Sequence, residues 1–113
     1  VRLCTQPVAV LTDWNCASAG DDFAVFAKGA PNVTLIGTNT AGGTGQLLLK
    51  ELPGGFRFAV STYNCVMEDG TPICNNGVQP DIWCEQTVSS ALAGQDAVLL
   101  RAIEHLEEKA GER

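Results

Sequence analysis

The sequence predicts an α/β domain built from a βαβ unit, then β-hairpins, then a C-terminal helix. Three observations predict it. Two short apolar runs rich in β-branched residues, "PVAVLT" (Pro7–Thr12) and "VTLIG" (Val33–Gly37), flank a stretch with helical spacing. Two further strand-like runs meet across "PGG". Residues 95–109 then set apolar side chains on one face and charges on the other.

Each element has its own warrant. Pro7–Thr12 is apolar throughout, as a strand buried on both faces requires. Within residues 18–29, Ala19, Phe23, Phe26 and Ala27 recur at helical spacing, and Gly29 with Pro31 stops the pattern. Val33–Gly37 is the second strand, and strand–helix–strand over so short a span predicts parallel pairing through a crossover. "TNTAGGTG" is too rich in glycine for regular structure. "QLLLKEL" (Gln46–Leu52) and "FRFAVSTYNCV" (Phe56–Val66) are expected to pair as a hairpin. Asp69-Gly70 supplies a second tight turn. Glu85 to Ser90 reads as a polar connection, and the last helix carries Val98, Leu99, Ala102, Ile103 and Leu106 on one face.

The 113 residues suffice for one domain with a real core, and 45% hydrophobic content with 18% charge suits a folded chain. The formal charge is −6 and the seven basic residues are scattered, which argues against a nucleic-acid partner. No apolar run approaches the roughly 20 residues of a membrane span, and no signal segment opens the chain. A strand this close to the start is expected of a piece of a longer protein, with any targeting segment lying outside it.

Cys4, Cys16, Cys65, Cys74 and Cys84 include no C-x-x-C pair, and the lone His105 is distant from all of them, so no metal site is expected. Disulfides in an oxidising compartment are the preferred reading, against five buried thiols acting as small hydrophobes. A turn centred near Glu68-Asp69-Gly70 would face Cys65 with Cys74 and staple the hairpin.

"NCASAGDDF" (Asn15–Phe23) places Ser18 between alanines at a strand-to-helix junction. The hydroxyl can cap the helix, with Asp21 approximating the capping-box partner, and the local pattern alone favours this. It can instead stand exposed as a nucleophile, with the next backbone N–H aimed at a developing oxyanion. Asp21 and Asp22 read as charges suited to a helix N-terminus. "TAGGTG" lacks the lysine of a phosphate loop and leads into a strand; Gly42 and Gly43 read as backbone against which a peptide can lie. Trp14 and Trp83 read as packing residues, Trp14 with a second reading as groove lining, and His105 as a solvated surface residue.

Four motifs in order tip the balance: "PVAVLTDWNCASAGDDFA", "VTLIGTNTAGG", "DGTPICNNGVQPDI" and "GQDAVLLRAIEHL". Together they resemble the C-terminal processing (tail-specific) serine peptidases, and within them the branch similar to the tricorn core protease. The resemblance covers nearly the whole chain. It implies a crotonase- and ClpP-like fold, with residues 1–113 forming the C-terminal part of a catalytic region. By it Ser18 is the nucleophile and the Ala19 N–H an oxyanion donor. The substrate is then a peptide or protein, no cofactor or metal is needed, and the setting is secreted or periplasmic, at the cell envelope.

The pattern also departs from the family. Gly43 stands about where one branch carries its lysine base, and Lys28 and Lys50 lie outside that loop. The tricorn-like branch instead takes a histidine from far upstream, so the upstream part of the same polypeptide is an expected partner and this chain alone is expected to have little activity. Cys74 occupies the position of the family's supporting glutamate, which makes a Cys16–Cys74 bridge a competing pairing. Two rivals follow. One is a pseudo-peptidase that binds peptide without cutting it. The other is a crotonase-type acyl-thioester enzyme, disfavoured because no cationic cluster is present to hold coenzyme A.

Overall fold

In the computed structural model, residues 4–111 are described. The elements in chain order are β1 (Val8–Thr12), α1 (Ala19–Lys28), β2 (Val33–Gly37), β3 (Leu47–Glu51), β4 (Arg57–Ser61), β5 (Ile82–Trp83), α2 (Val88–Leu92) and α3 (Ala97–Gly111). The apolar runs pair in parallel as expected, Val8 opposite Val33 and Thr12 opposite Gly37. β5 joins the far side of β2, also parallel, giving the order β1-β2-β5. The fold class is α/β, as the sequence predicts.

Alternation along β2 assigns its residues to two layers. Val33 and Leu35 pack with Val10, Ala24 and Ala27 into the core, joined there by Ile73, Val78 and Cys65. Thr34, between them, meets α3: its hydroxyl lies 3.0 Å from His105 Nε2. Successive strand side chains point to opposite faces, so one strand serves helices on both sides.

The buried helix faces differ from those expected. In α1 the stripe is Asp21, Ala24 and Ala27, while Phe23 and Phe26 are 59% and 79% exposed. Alanines let the helix lie close to the sheet, and the aromatic rings project from its outer side. In α3 only Ala102 is fully buried, and Leu99 and Ile103 are half-exposed. Trp14 and Trp83, expected as packing residues, are both largely exposed.

β3 and β4 form the expected antiparallel hairpin, Leu47 opposite Ser61 and Glu51 opposite Arg57, and all ten of their residues are exposed. The second turn has a different register from the one expected. Met67 N–H donates to Thr71 O at 2.8 Å and Ile73 N–H to Cys65 O at 3.0 Å, so Cys65 faces Ile73 rather than Cys74. A one-residue slip turns a side chain to the other face of a strand pair. Cys65 therefore enters the core, while Cys74 Sγ lies 3.8 Å from the Thr44 carbonyl oxygen. All five cysteines are free, so neither the Cys65–Cys74 nor the Cys16–Cys74 bridge forms.

Two elements have no counterpart in the sequence reading. β5 is two residues long, too short for any periodicity to reveal. α2 interrupts the expected polar connection, nucleated where the Thr87 hydroxyl accepts the Ser90 N–H at 3.1 Å. Among the described residues no helix is long and apolar enough to cross a membrane.

Candidate active site

The chain leaves β1 at Thr12 and turns before α1 begins at Ala19. Asp13 shapes this turn. Its Oδ1 accepts the Asn15 N–H at 2.8 Å and its carbonyl accepts the Cys16 N–H at 2.9 Å. Ser18 then takes the N-cap position with φ 56° and ψ −116°. A side chain held at such a positive φ costs on the order of 1–3 kcal/mol. The strain has a local product: the Ser18 side chain is exposed at the head of the helix. The Ala19 N–H is the first of the helix and has no i−4 carbonyl to reach. The positive end of the helix backs both groups.

What holds the turn in this shape is Asp21. It is fully buried, and its carboxylate accepts three backbone N–H groups: Ser18 at 2.9 Å, Gly42 at 3.0 Å and Gly43 at 3.0 Å. The first bond is the capping-box contact that the Ser18–Asp21 spacing predicts. The other two reach 21 and 22 residues along the chain, and nothing local in the sequence signals them. Asp22, the neighbouring residue, accepts the Thr44 hydroxyl at 2.5 Å. The paired aspartates thus bind the glycine loop to the nucleophile turn instead of merely decorating a helix end.

The loop is locked from its other side as well. Gly42 has φ 67°, and a Cβ there would lie 2.5 Å from both the Gly77 nitrogen and the Ile73 carbonyl oxygen. Its own carbonyl accepts the Asn75 N–H at 3.0 Å. Gly77, at φ 70°, packs so tightly that a Cβ would overlap the Thr40 carbonyl. Thr40 in turn accepts the Val78 N–H on its hydroxyl at 2.7 Å. Gly42 is therefore buried, with its N–H consumed by Asp21. Gly43 is exposed, with open space around the position of a side chain.

Among the described residues, the basic groups weighed as a base for Ser18 do not meet it in the interactions they make. Lys28 pairs with Asp81 at 2.6 Å and donates to the Gln79 carbonyl at 2.8 Å, while Lys50 lies exposed on β3. His105 is half-buried against β2 instead of solvated. It meets Thr34, and that strand runs three residues further to Gly37, about 10 Å, before reaching the end of the sheet where the Ser18 turn lies. Cys16, in the turn itself, is not a rival nucleophile. Burial pushes its thiol up, and the Asp21 and Asp13 charges push it further, so it stays protonated.

The family model for peptidase family S41 matches residues 2–84. A crystal structure from Parabacteroides merdae, of a protein assigned as a peptidase, superposes with a TM-score of 0.84 at 30% identity, over 91% of this chain and 32% of that one. The tricorn protease aligns at 30% identity and a TM-score of 0.81, over 91% of this chain and 10% of its own. The photosystem II D1 C-terminal processing protease gives 26% identity and a TM-score of 0.60, over 72% and 21%. The chain spans a third or less of the length of these structures. No curated protein matches it significantly.

Proposed function

Because this chain belongs to peptidase family S41, we propose that it is the nucleophile-bearing part of a serine peptidase acting on peptide or protein substrates. Ser18 attacks the scissile carbonyl, its proton passes to a base, and the acyl-enzyme so formed is released by water. The Ala19 N–H stabilises the oxyanion, and the exposed backbone at Gly43 flanks the peptide. Gly42 supports this surface from beneath. The observation that carries the reading is the conformation of Ser18: a strained serine whose side chain stands exposed at a helix head.

The base belongs to the upstream part of the same polypeptide, since Lys28 and His105 are held by Asp81 and Thr34 and Lys50 stands exposed on β3. The setting we propose is extracytoplasmic. A second reading, a peptide-binding pseudo-peptidase, is favoured by one feature: Cys74, half-buried on the Thr44 carbonyl, is the residue that the sequence resemblance aligns with the family's supporting acid. A thiol cannot hold an imidazolium as a carboxylate does.

Peptide hydrolysis by this chain alone, and by the polypeptide that contains it, tests the reading. Turnover is expected only with the upstream segment, and it should vanish in Ser18→Ala. Turnover indifferent to Ser18→Ala overturns the nucleophile. No turnover in the longer polypeptide, with peptide binding retained, selects the pseudo-peptidase.

A further inference from the structure

A cavity of about 590 Å³ opens at the carboxyl end of β1, between the turn that precedes Ser18 and the α2–α3 connection. Ligands of α/β sheets bind in just such a crevice, beyond the C-terminal ends of parallel strands. Its walls divide by chemistry. Leu11, Ala91 and Val98 are apolar, while Asp13 and Asp96 bring two carboxylates into the lining. No lysine or arginine lines it. Among the described residues neither carboxylate makes an ion pair, since the pairs present join Lys28, Arg57 and Arg101 to other acids.

The cavity is also built rather than incidental. Gln86 donates to the Gln95 carbonyl at 2.7 Å and accepts the Ala97 N–H at 2.8 Å, pinning the connection that forms one wall. Asp96 caps α3, its Oδ1 accepting the Leu99 N–H at 2.9 Å. Asp13 is held by Asn15, whose backbone and side-chain nitrogens lie 2.8 Å and 3.3 Å from its two oxygens. Carboxylate oxygens carry two lone pairs each, so both aspartates retain acceptor capacity toward the cavity. The field of Asp13 also reaches Cys16 in the cavity wall, where it helps keep that thiol protonated.

We propose that this cavity selects a basic side chain of the substrate peptide, with the aliphatic stem of an arginine or lysine against Leu11, Ala91 and Val98 and its charged head between Asp13 and Asp96. The assignment rests on the peptidase reading for the word substrate, but the binding itself does not involve Ser18. An amphipathic wall with acids fits a long cationic side chain, which buries its stem and keeps its head among acceptors. The chain's net charge of −6 draws such a group toward the surface.

The test is an NMR titration of the ¹⁵N-labelled chain with N-acetyl-arginine amide and with N-acetyl-citrulline amide, which has nearly the same shape and no charge. The arginine compound is expected to shift Cys16, Gln86 and Gln95 saturably, and to bind about tenfold or more tightly than the citrulline compound, as a charge-assisted pair requires. Asp13→Asn should erase most of that preference. Asp96→Asn should reduce it while keeping the cap, because asparagine caps as well as aspartate; this variant carries the test if Asp13→Asn fails to fold. Equal binding of the two compounds, or shifts located away from the cavity, overturns the proposal. Ser18→Ala should leave the preference intact, so a failure of hydrolysis and a failure of the cavity are separately visible.

Discussion

Asp21 and Ser18 are bound to each other through the backbone: Asp21 Oδ2 accepts the Ser18 N–H at 2.9 Å and, with the same oxygen, the Gly43 N–H at 3.0 Å. A single buried carboxylate therefore sets the strand-to-helix turn and the glycine loop in register. Asp21→Asn replaces one acceptor oxygen with an NH₂ that faces backbone donors. The expected cost is about 2–4 kcal/mol, from a lost charge-assisted bond and an unpaired buried donor. Urea unfolding measures it, and a loss under about 1 kcal/mol would show that the carboxylate is dispensable.

Ser18 is strained by its own backbone, at φ 56°. Glycine adopts that conformation freely, whereas alanine does not. Ser18→Gly is thus expected to be more stable than Ser18→Ala by about 1–2 kcal/mol, although both lose the hydroxyl. Thermal melts of the two variants decide this. Equal stability would mean that the turn relaxes and the strain is absent.

Gly42 and Gly43 are adjacent but should respond in opposite ways. Gly42→Ala drives a methyl against the Gly77 nitrogen and the Ile73 carbonyl at a positive φ, and Gly77→Ala drives one into Thr40. Each is expected to cost about 3 kcal/mol or more. Gly43→Ala meets open space, so its effect should stay within roughly 0.5 kcal/mol. Denaturant midpoints of the three variants check the contrast, and similar losses for all three would refute it.

Acid stability should reveal the Lys28–Asp81 pair. Burial works against the charge of Asp81, but the Lys28 ammonium, the Leu35 N–H and the Lys28 charge outweigh it and hold the carboxyl below its usual value. A depressed folded-state value means stability that is full above the unfolded-state value, about 3.9, and lost as the pH falls through the folded one. The stability difference between the native chain and Asp81→Asn should therefore be flat near neutral pH and shrink below about pH 4. A difference that stays constant down to acid unfolding would exclude the linkage.

Alkylation should find five thiols. Cys4 is exposed and is expected to react first, while Cys65 is buried and Cys16 is kept protonated by its burial and by Asp21 and Asp13. Mass spectrometry of the native and the unfolded chain reads both order and count. Recovery of a peptide cross-linked between Cys65 and Cys74 would restore the bridge that the observed register forbids.

The α/β class, both parallel strands, the hairpin and the position of Ser18 at a helix head are local matters, legible in short stretches of sequence. Apolar runs, helical spacing and glycine stops each act over a few residues, and Pro7–Thr12, Val33–Gly37 and residues 18–29 carry those signals plainly. The rest depends on contacts between elements distant in the chain. Whether Asp21 ends a helix or clamps two loops depends on N–H groups more than twenty residues away, which no local pattern encodes. Whether Cys65 faces Cys74 or Ile73 depends on one residue of register, and Ile73 and Cys65 settle it by joining the same core. Which face of α1 is buried follows from how closely alanine allows a helix to approach β2, so Phe23 and Phe26 point outward despite their hydrophobicity. Spacing along the chain can choose an element and place a serine at its tip; only packing between elements chooses what that serine is held against.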